Sequence, residues 1–315
     1  MNPNDYKISK YIYKYTTTQN NVKLELYKKK LSRYLNNNNN MRGGYDYTSP
    51  SDSLRYLECI LTNSNCTSIE TGQNMEQNIN PYILVVYGPP ASGKTTAKNL
   101  MINKFNLSDN YVDINVDKFV YDTDQFNDFI KTIDLTPVKT MSIDEIDLYD
   151  PVQKLNQNYQ LIRSRTAPLL KILIGFAIMF KYNIVLETPG GGNEWKNIVE
   201  ELLKHNYSAY IVYPYTNDIN MLIDRSIKRG VTEYRFLTKQ YMQNMVSRSI
   251  KNFYTFITDS NIMSKFKEII AYDTSKIKLS DDSFDDVILF NYGDNTQDKL
   301  NNDFVNKLKS IIEPN

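Results

Sequence analysis

Eight consecutive residues constrain this chain more than any others: Gly88-Pro89-Pro90-Ala91-Ser92-Gly93-Lys94-Thr95. They follow the apolar run Tyr82–Tyr87, of strand length, and precede a helical pattern that opens at Lys94. A G-x-x-x-x-G-K-T pattern in that setting predicts a loop whose successive N–H groups turn inward around a phosphate. The positive end of the following helix lies behind them. In such a loop Gly88, Pro89, Pro90, Ala91, Ser92, Gly93, Lys94, Thr95 and Thr96 would surround the phosphates of ATP or GTP. Lys94 would bridge the β- and γ-phosphates, and the Thr95 hydroxyl would coordinate Mg²⁺.

From residue 81 the sequence alternates strand-length apolar runs with helix-length segments. Tyr82–Tyr87, Val112–Val116, Asn183–Glu187, Ala209–Tyr213, Phe266–Tyr272 and Asp286–Phe290 read as strands. Helices are expected at about 152–180, 194–205, 217–229 and 238–258. This alternation predicts an α/β fold with a parallel sheet covered by helices on both faces, and fully apolar strands such as Ile83–Val86 fit that burial. The expected organisation is a basic tail and linker over 1–44, a helical extension over 45–80, and one α/β domain over 81–315.

Charge is unevenly spread. Residues 1–44 carry nine Lys/Arg against Asp5 and Glu25, while the whole chain has a net charge of +1, so the remainder is mildly acidic. Two amphipathic stripes in this tail (Ile8, Tyr11, Ile12 and Tyr15; then Leu24, Tyr27, Leu31 and Tyr34) precede Asn36–Asn40 and Gly43-Gly44. The tail reads either as a docking arm for nucleic acid or another polyanion, detachable after Gly44, or as a solvated Lys-rich extension. Cys59 and Cys66 are the two cysteines and His205 the one histidine. That excludes a Cys/His zinc site and a disulfide-built scaffold. A reducing, cytoplasmic compartment is expected, since the first 20 residues lack an apolar signal region. The longest apolar run, Ala167–Phe180, holds Lys171 and is too short for a membrane span, so no membrane partner is expected.

Two acids follow expected strands, where ligands of α/β sheets gather. Asp117 closes Asn115-Val116-Asp117-Lys118-Phe119, and Glu187 closes Leu186-Glu187-Thr188-Pro189-Gly190. A carboxylate there could orient or deprotonate an attacking hydroxyl. Ser142-Ile143-Asp144-Glu145 resembles a metal-binding pair but lacks a preceding apolar strand. Four of the nine arginines (Arg225, Arg229, Arg235 and Arg248) fall close together. Arg225 and Arg229 share a helix face that Gly230 is expected to close, so Arg225, Arg229 and Arg235 are candidates for spreading charge on a transferring phosphoryl group. Arg163 and Arg165 on the long helix read either as substrate contacts or as surface residues.

In this order these residues resemble the zeta-toxin-like branch of P-loop kinases, related to chloramphenicol phosphotransferase and polynucleotide kinases. The likeness runs from about Tyr82 to Asp273 and includes His205-Asn206-Tyr207, which is similar to the family's helix–Gly-Tyr–strand passage. It implies that Asp117 is the base, Glu187 with Thr188 a substrate contact, and Arg225, Arg229 and Arg235 a lid. Zeta toxins phosphorylate a sugar hydroxyl of a UDP-activated amino sugar. Their usual Glu-Gly-Thr turn, with an arginine two residues on, is replaced here by Glu187-Thr188-Pro189-Gly190-Gly191-Gly192. That difference suggests an open loop and a different or larger acceptor. The basic tail with Gly43-Gly44 resembles proteins of large DNA viruses, which would place the chain in host cytoplasm or virion.

Three readings follow. The first is an NTP-dependent phosphotransferase acting on a hydroxyl of a small or nucleotide-linked acceptor. The second is a polynucleotide 5′-hydroxyl kinase whose tail holds the strand. The third is a non-catalytic NTP-binding structural or packaging factor.

Overall fold

The computed structural model describes residues 78–313 apart from 109, 122, 167–168, 277–286 and 294–297, together with five isolated positions before residue 31. Apart from those five positions the tail, the extension as far as residue 77 and both cysteines lie outside the described residues.

Strand β1 (Tyr82–Tyr87) is buried along its whole length, as an apolar run shielded on both faces requires. It leads into helix α1 (Lys94–Lys104). Then come β2 (Tyr111–Ile114), α2 (Val116–Tyr121), α3 (Asp124–Ile130), a 3₁₀ turn (Thr136–Thr140) and α4 (Ile143–Leu148). Helices α5 (Asp150–Thr166) and α6 (Leu169–Phe180) precede β3 (Asn183–Thr188), α7 (Glu194–Lys204) and β4 (Ser208–Tyr215). The last part contains α8 (Ile219–Glu233), α9 (Lys239–Ile257), α10 (Ser260–Met263), β5 (Glu268–Asp273), β6 (Ile288–Tyr292) and α11 (Asp298–Ile312). The sheet has six strands in the order β2-β3-β1-β4-β5-β6. Val86 pairs with Val212 and Val212 with Ile270 in parallel register.

Three details differ from the sequence expectation. Strand β6 is antiparallel to β5, with an irregularity between Ala271 and Tyr272. It forms the sheet edge, where only Phe290 of its five residues is buried, and such edges tolerate reversed direction. The helix expected at 152–180 is described as α5 and α6, on either side of residues 167–168, which lie outside the described residues. Strand β2 stops at Ile114, so Asp117 sits in the first turn of α2. Helix α8 runs through Gly230 to Glu233 and ends on left-handed Tyr234 at φ 51°.

Three helices that feed strands end alike. Asn106, Lys181 and Asn206 adopt φ of 47°, 54° and 65°, positions glycine usually fills. Each lets the next residue's N–H reach back to a carbonyl five residues earlier: Leu107 to Ile102, Tyr182 to Ala177 and Tyr207 to Leu202. Buried Tyr207 then starts the approach to β4.

The chain forms two compact units. Among the described residues, one contains Asn110–Asp134 and Lys154–Ile184; the other contains Asn80–Asp109, Leu135–Gln153 and the chain from Val185 onward. The first is built around Tyr121, Phe126 and Tyr159, with Phe126 5.6 Å from the Tyr121 ring and 5.8 Å from Tyr159. The second is built around Tyr87, Tyr213 and Phe253, whose rings approach to 5.2 Å and 4.4 Å. Helix α9 presents Met242, Val246, Ile250 and Phe253 to that core at helical spacing.

Gly230 is a packing glycine. A Cβ there would lie 2.5 Å from the buried Phe236 ring and 3.1 Å from the Arg235 carbonyl. Gly→Ala inside a helix normally stabilises by about 1 kcal/mol, whereas forced overlap in a packed interior costs about 1–3 kcal/mol. Gly230→Ala is therefore expected to lower stability in urea unfolding; a gain near 1 kcal/mol would show that Phe236 gives way freely.

Candidate functional site

The loop after β1 bends where its sequence allows it. Gly88 has φ 148°, Ala91 61° and Gly93 89°, all on the positive side that L side chains avoid. Gly93 stands immediately before α1, so that helix's first N–H groups are presented at the loop. Nothing lies within 4 Å of a Cβ built on Gly93, so backbone conformation alone accounts for glycine there.

The side chains of the loop suit a phosphate. The Ser92 hydroxyl is fully buried and has no hydrogen-bond partner among the described residues, an arrangement that costs stability unless a ligand or water answers it. Lys94 Nζ donates to the carbonyls of Gly88 at 3.2 Å and Pro89 at 3.0 Å, so its ammonium is held over the loop itself. Thr95 is exposed and Thr96 half-buried in the first turn of α1. Among the described residues no group of three or more His, Cys, Asp or Glu could hold a metal ion by itself.

The turn after β3 is tied to this loop. The Gly88 N–H donates to the Thr188 carbonyl at 3.1 Å. Glu187 and Thr188 are half-buried, and the Thr188 hydroxyl accepts from the Gly190 N–H at 3.3 Å. Tyr87, the residue before the loop, has its hydroxyl 2.9 Å from the Gly190 carbonyl and 2.8 Å from the Ser249 carbonyl. Burial, with neighbouring Tyr213 adding to it, pushes the Tyr87 phenol well above its ordinary value, so it remains a donor across the physiological range. Asn252 Nδ2 donates to the same Gly190 carbonyl at 2.9 Å. The run Gly190–Gly192 was expected to be an open loop. Instead Gly190 is buried at φ 75°, and a Cβ on it would meet the Tyr87 ring at 2.6 Å. One on Gly191 would meet the Met245 side chain. At Gly190 and Gly191 the space of a missing side chain is thus filled by Tyr87 and Met245, whereas a Cβ on Gly192 would meet exposed Glu194.

The arginines differ in setting. Arg225 is half-buried and donates to Thr274 Oγ1 at 3.1 Å, just past the carboxyl end of β5. Arg229 is 55% exposed and makes a two-pronged bond to Glu233 on its own helix, at 2.9 and 2.7 Å. Arg235 is half-buried beyond α8, and Arg248 is exposed on α9. Ser142-Ile143-Asp144-Glu145 starts α4: Ser142 and Glu145 form a capping box, and Asp144 pairs with Lys239 at 3.1 Å. Helix initiation accounts for that tetrapeptide.

Asp117 belongs to the other unit. Its N–H donates to Asn115 Oδ1 at 3.0 Å, and its own Oδ1 accepts from Arg163 Nε at 3.0 Å. Nothing in the sequence pairs these residues, which stand on different helices. The roles of Tyr87 and Asn252 are equally silent there, because each is one polar atom within an apolar pattern.

No protein-family model matches the chain. Over 290 residues it is 26% identical to an uncharacterized protein of Acanthamoeba polyphaga mimivirus, covering 85% of this chain and 80% of that protein. Its fold is similar to a chain solved from the PezAT chromosomal toxin–antitoxin system of Streptococcus pneumoniae. That match has a TM-score of 0.54 and 14% identity, over 85% of this chain and 89% of the other. The likeness is one of fold: helices on a mostly parallel six-stranded sheet. Among the described residues no helix is long and apolar enough to cross a membrane.

Gly93 and Gly190 give a graded comparison. Alanine at either adopts an unfavourable left-handed backbone, about 1–2 kcal/mol, but only at Gly190 does it also meet a buried ring. Denaturant unfolding should show Gly190→Ala losing clearly more stability than Gly93→Ala; equal losses would mean that Tyr87 does not pin the turn.

Proposed function

We propose that this protein is an NTP-dependent phosphotransferase that moves a γ-phosphate to a hydroxyl of a small or nucleotide-linked acceptor. The observation that carries this reading is the loop Gly88–Thr95: three positive-φ residues, a helix start, a buried Ser92 hydroxyl awaiting a partner, and the Lys94 ammonium held over it. The P-loop-kinase-like fold supports it.

In this reading Lys94 follows the β- and γ-phosphates of ATP or GTP, and Thr95 coordinates Mg²⁺. The Asp117 carboxylate accepts the proton of the attacking hydroxyl as its oxygen bonds to the γ-phosphorus and the bond to the β–γ bridging oxygen breaks. Glu187 and Thr188, fixed beside Gly88, hold the acceptor. Arg225, Arg229 and Arg235 spread the charge that grows on the transferring group. The similarity to a viral protein supports a viral setting, and residues 1–44 would then carry any polyanion contact.

The direct test is terminally labelled ATP and GTP offered with UDP-sugars, nucleosides and 5′-hydroxyl oligonucleotides. Label on a sugar or nucleoside hydroxyl supports this function. Label on oligonucleotides alone moves the protein to the 5′-hydroxyl kinases, and nucleotide binding with no transfer makes it a non-catalytic factor. Lys94→Ala should abolish transfer with little change in melting temperature, because Lys94 contacts loop carbonyls and not the core. Asp117→Asn should lower kcat by about 10²–10⁴-fold with nucleotide affinity nearly kept. A fall in Mg²⁺–nucleotide affinity alone would make Asp117 part of the metal's surroundings instead.

The arginines should not respond equally. Arg225 is anchored at the carboxyl edge of the sheet, whereas the Arg229 fork is committed to Glu233. Arg→Lys keeps the charge and loses the planar fork. Arg225→Lys should cost kcat about 10-fold or more, Arg229→Lys less, and Arg248→Lys almost nothing. Equal small effects at all three would leave the cluster a solvated face.

A further inference from the structure

We propose that Arg163 is the positioning residue of Asp117, holding its carboxylate in one orientation for proton acceptance. This inference rests on the reading of Asp117 as the base. Two bonds fix the aspartate from opposite ends. Its backbone N–H is taken by Asn115 Oδ1 at 3.0 Å, which sets the first turn of α2. Its Oδ1 accepts from Arg163 Nε at 3.0 Å, which restrains rotation of the carboxylate. With one oxygen restrained, fewer directions are open to the Oδ2 lone pairs.

Arg163 itself is held by its helix. Tyr159 and Ile162, on α5, are 2% and 1% exposed, so that stretch cannot roll without opening the core of its unit. The pair is only partly sheltered, with side chains 37% and 24% exposed. An exposed pair of this kind adds little to folding, and its position at a candidate base gives it a different use. Lys118, next to Asp117 on α2, donates to Asp113 of β2 at 2.9 Å. Arg163 faces Asp117 from another helix, α5. A guanidinium suits this task, because it does not lose its proton near neutral pH and its planar fork sets direction as well as charge. A carboxylate kept in a single orientation needs no reorganisation when the hydroxyl arrives.

The test uses the full chain with Mg²⁺ and γ-labelled ATP, reading release of inorganic phosphate with water as acceptor. The water oxygen bonds to the γ-phosphorus, the bond to the β–γ bridging oxygen breaks, ADP leaves, and the water proton passes to Asp117. Wild type, Asp117→Asn, Arg163→Gln, Arg163→Lys and the double variant Asp117→Asn/Arg163→Gln are compared, with ATP affinity and melting temperature measured for each. Arg163→Gln should lower kcat by about 10-fold or more with ATP affinity unchanged within about twofold. Arg163→Lys should recover part of the loss, and the double variant should be no slower than Asp117→Asn alone. Full activity in Arg163→Gln beside a slow Asp117→Asn would end the role of Arg163 and leave the base in place. Losses that multiply in the double variant would show that Arg163 acts elsewhere. A rate loss matched by a lower melting temperature, with no recovery in Arg163→Lys, would make the pair merely structural. Wild-type turnover in Asp117→Asn would remove the base and this inference together.

Discussion

The second unit is organised by one buried phenol. Tyr87 ends β1 and is the last residue before the phosphate-type loop, so whatever holds its ring also holds the start of that loop. Its ring lies against Trp195, Tyr213 and Phe253, and its hydroxyl reaches the carbonyls of Gly190 and Ser249. A phenol has a single proton to donate, so the two carbonyls share it, and Asn252 supplies a second donor to Gly190. Deep burial keeps that proton in place. The turn carrying Glu187 and Thr188 therefore has little freedom relative to the loop, since backbone, phenol and amide all connect them. Rigidity of this kind is what a site needs if two parts of a reaction are to be held at fixed separation.

Much of this architecture was legible in the residues, for physical reasons that differ by element. Gly88–Thr95 could be read because backbone conformation, glycine and a helix start are local properties. Strand β1 could be read because burial on both faces leaves an uninterrupted apolar run. Asp117 was identifiable as an acid following a strand, yet its place on α2 depended on Asn115 taking its N–H, a choice between two similar backbone paths. Gly190 and Gly230 misled because glycine serves two ends. It permits unusual φ, which a sequence reader expects, and it makes room for a distant side chain, which depends on where Tyr87 and Phe236 fall in space. The Arg163–Asp117 bond was hidden for the same reason.

Left-handed caps illustrate how a motif can change residues and keep its geometry. Asn106, Lys181 and Asn206 each end a helix as glycine would, and each is followed by a residue whose N–H returns to the helix. Asparagine tolerates this backbone better than most residues because its short side chain can bond locally. Lysine does so at some conformational cost, offset by the bond of Tyr182 to Ala177 and the burial of Tyr182.

The strand order also governs how the molecule comes into being. Tyr82 pairs with Ser208, so β1, made early, finds its β4 neighbour only after most of the chain has been synthesised. Closing so long an intervening segment is entropically slow, and sheets of high contact order fold later than helical segments. Until β4 arrives, the apolar face of Tyr82–Tyr87 has no partner on that side and is prone to pairing with other chains. The phosphate-type loop at its tip can become rigid only once that pairing is complete. Its competence would therefore report that the far half of the chain has folded, a dependence of assembly order and not of chemistry.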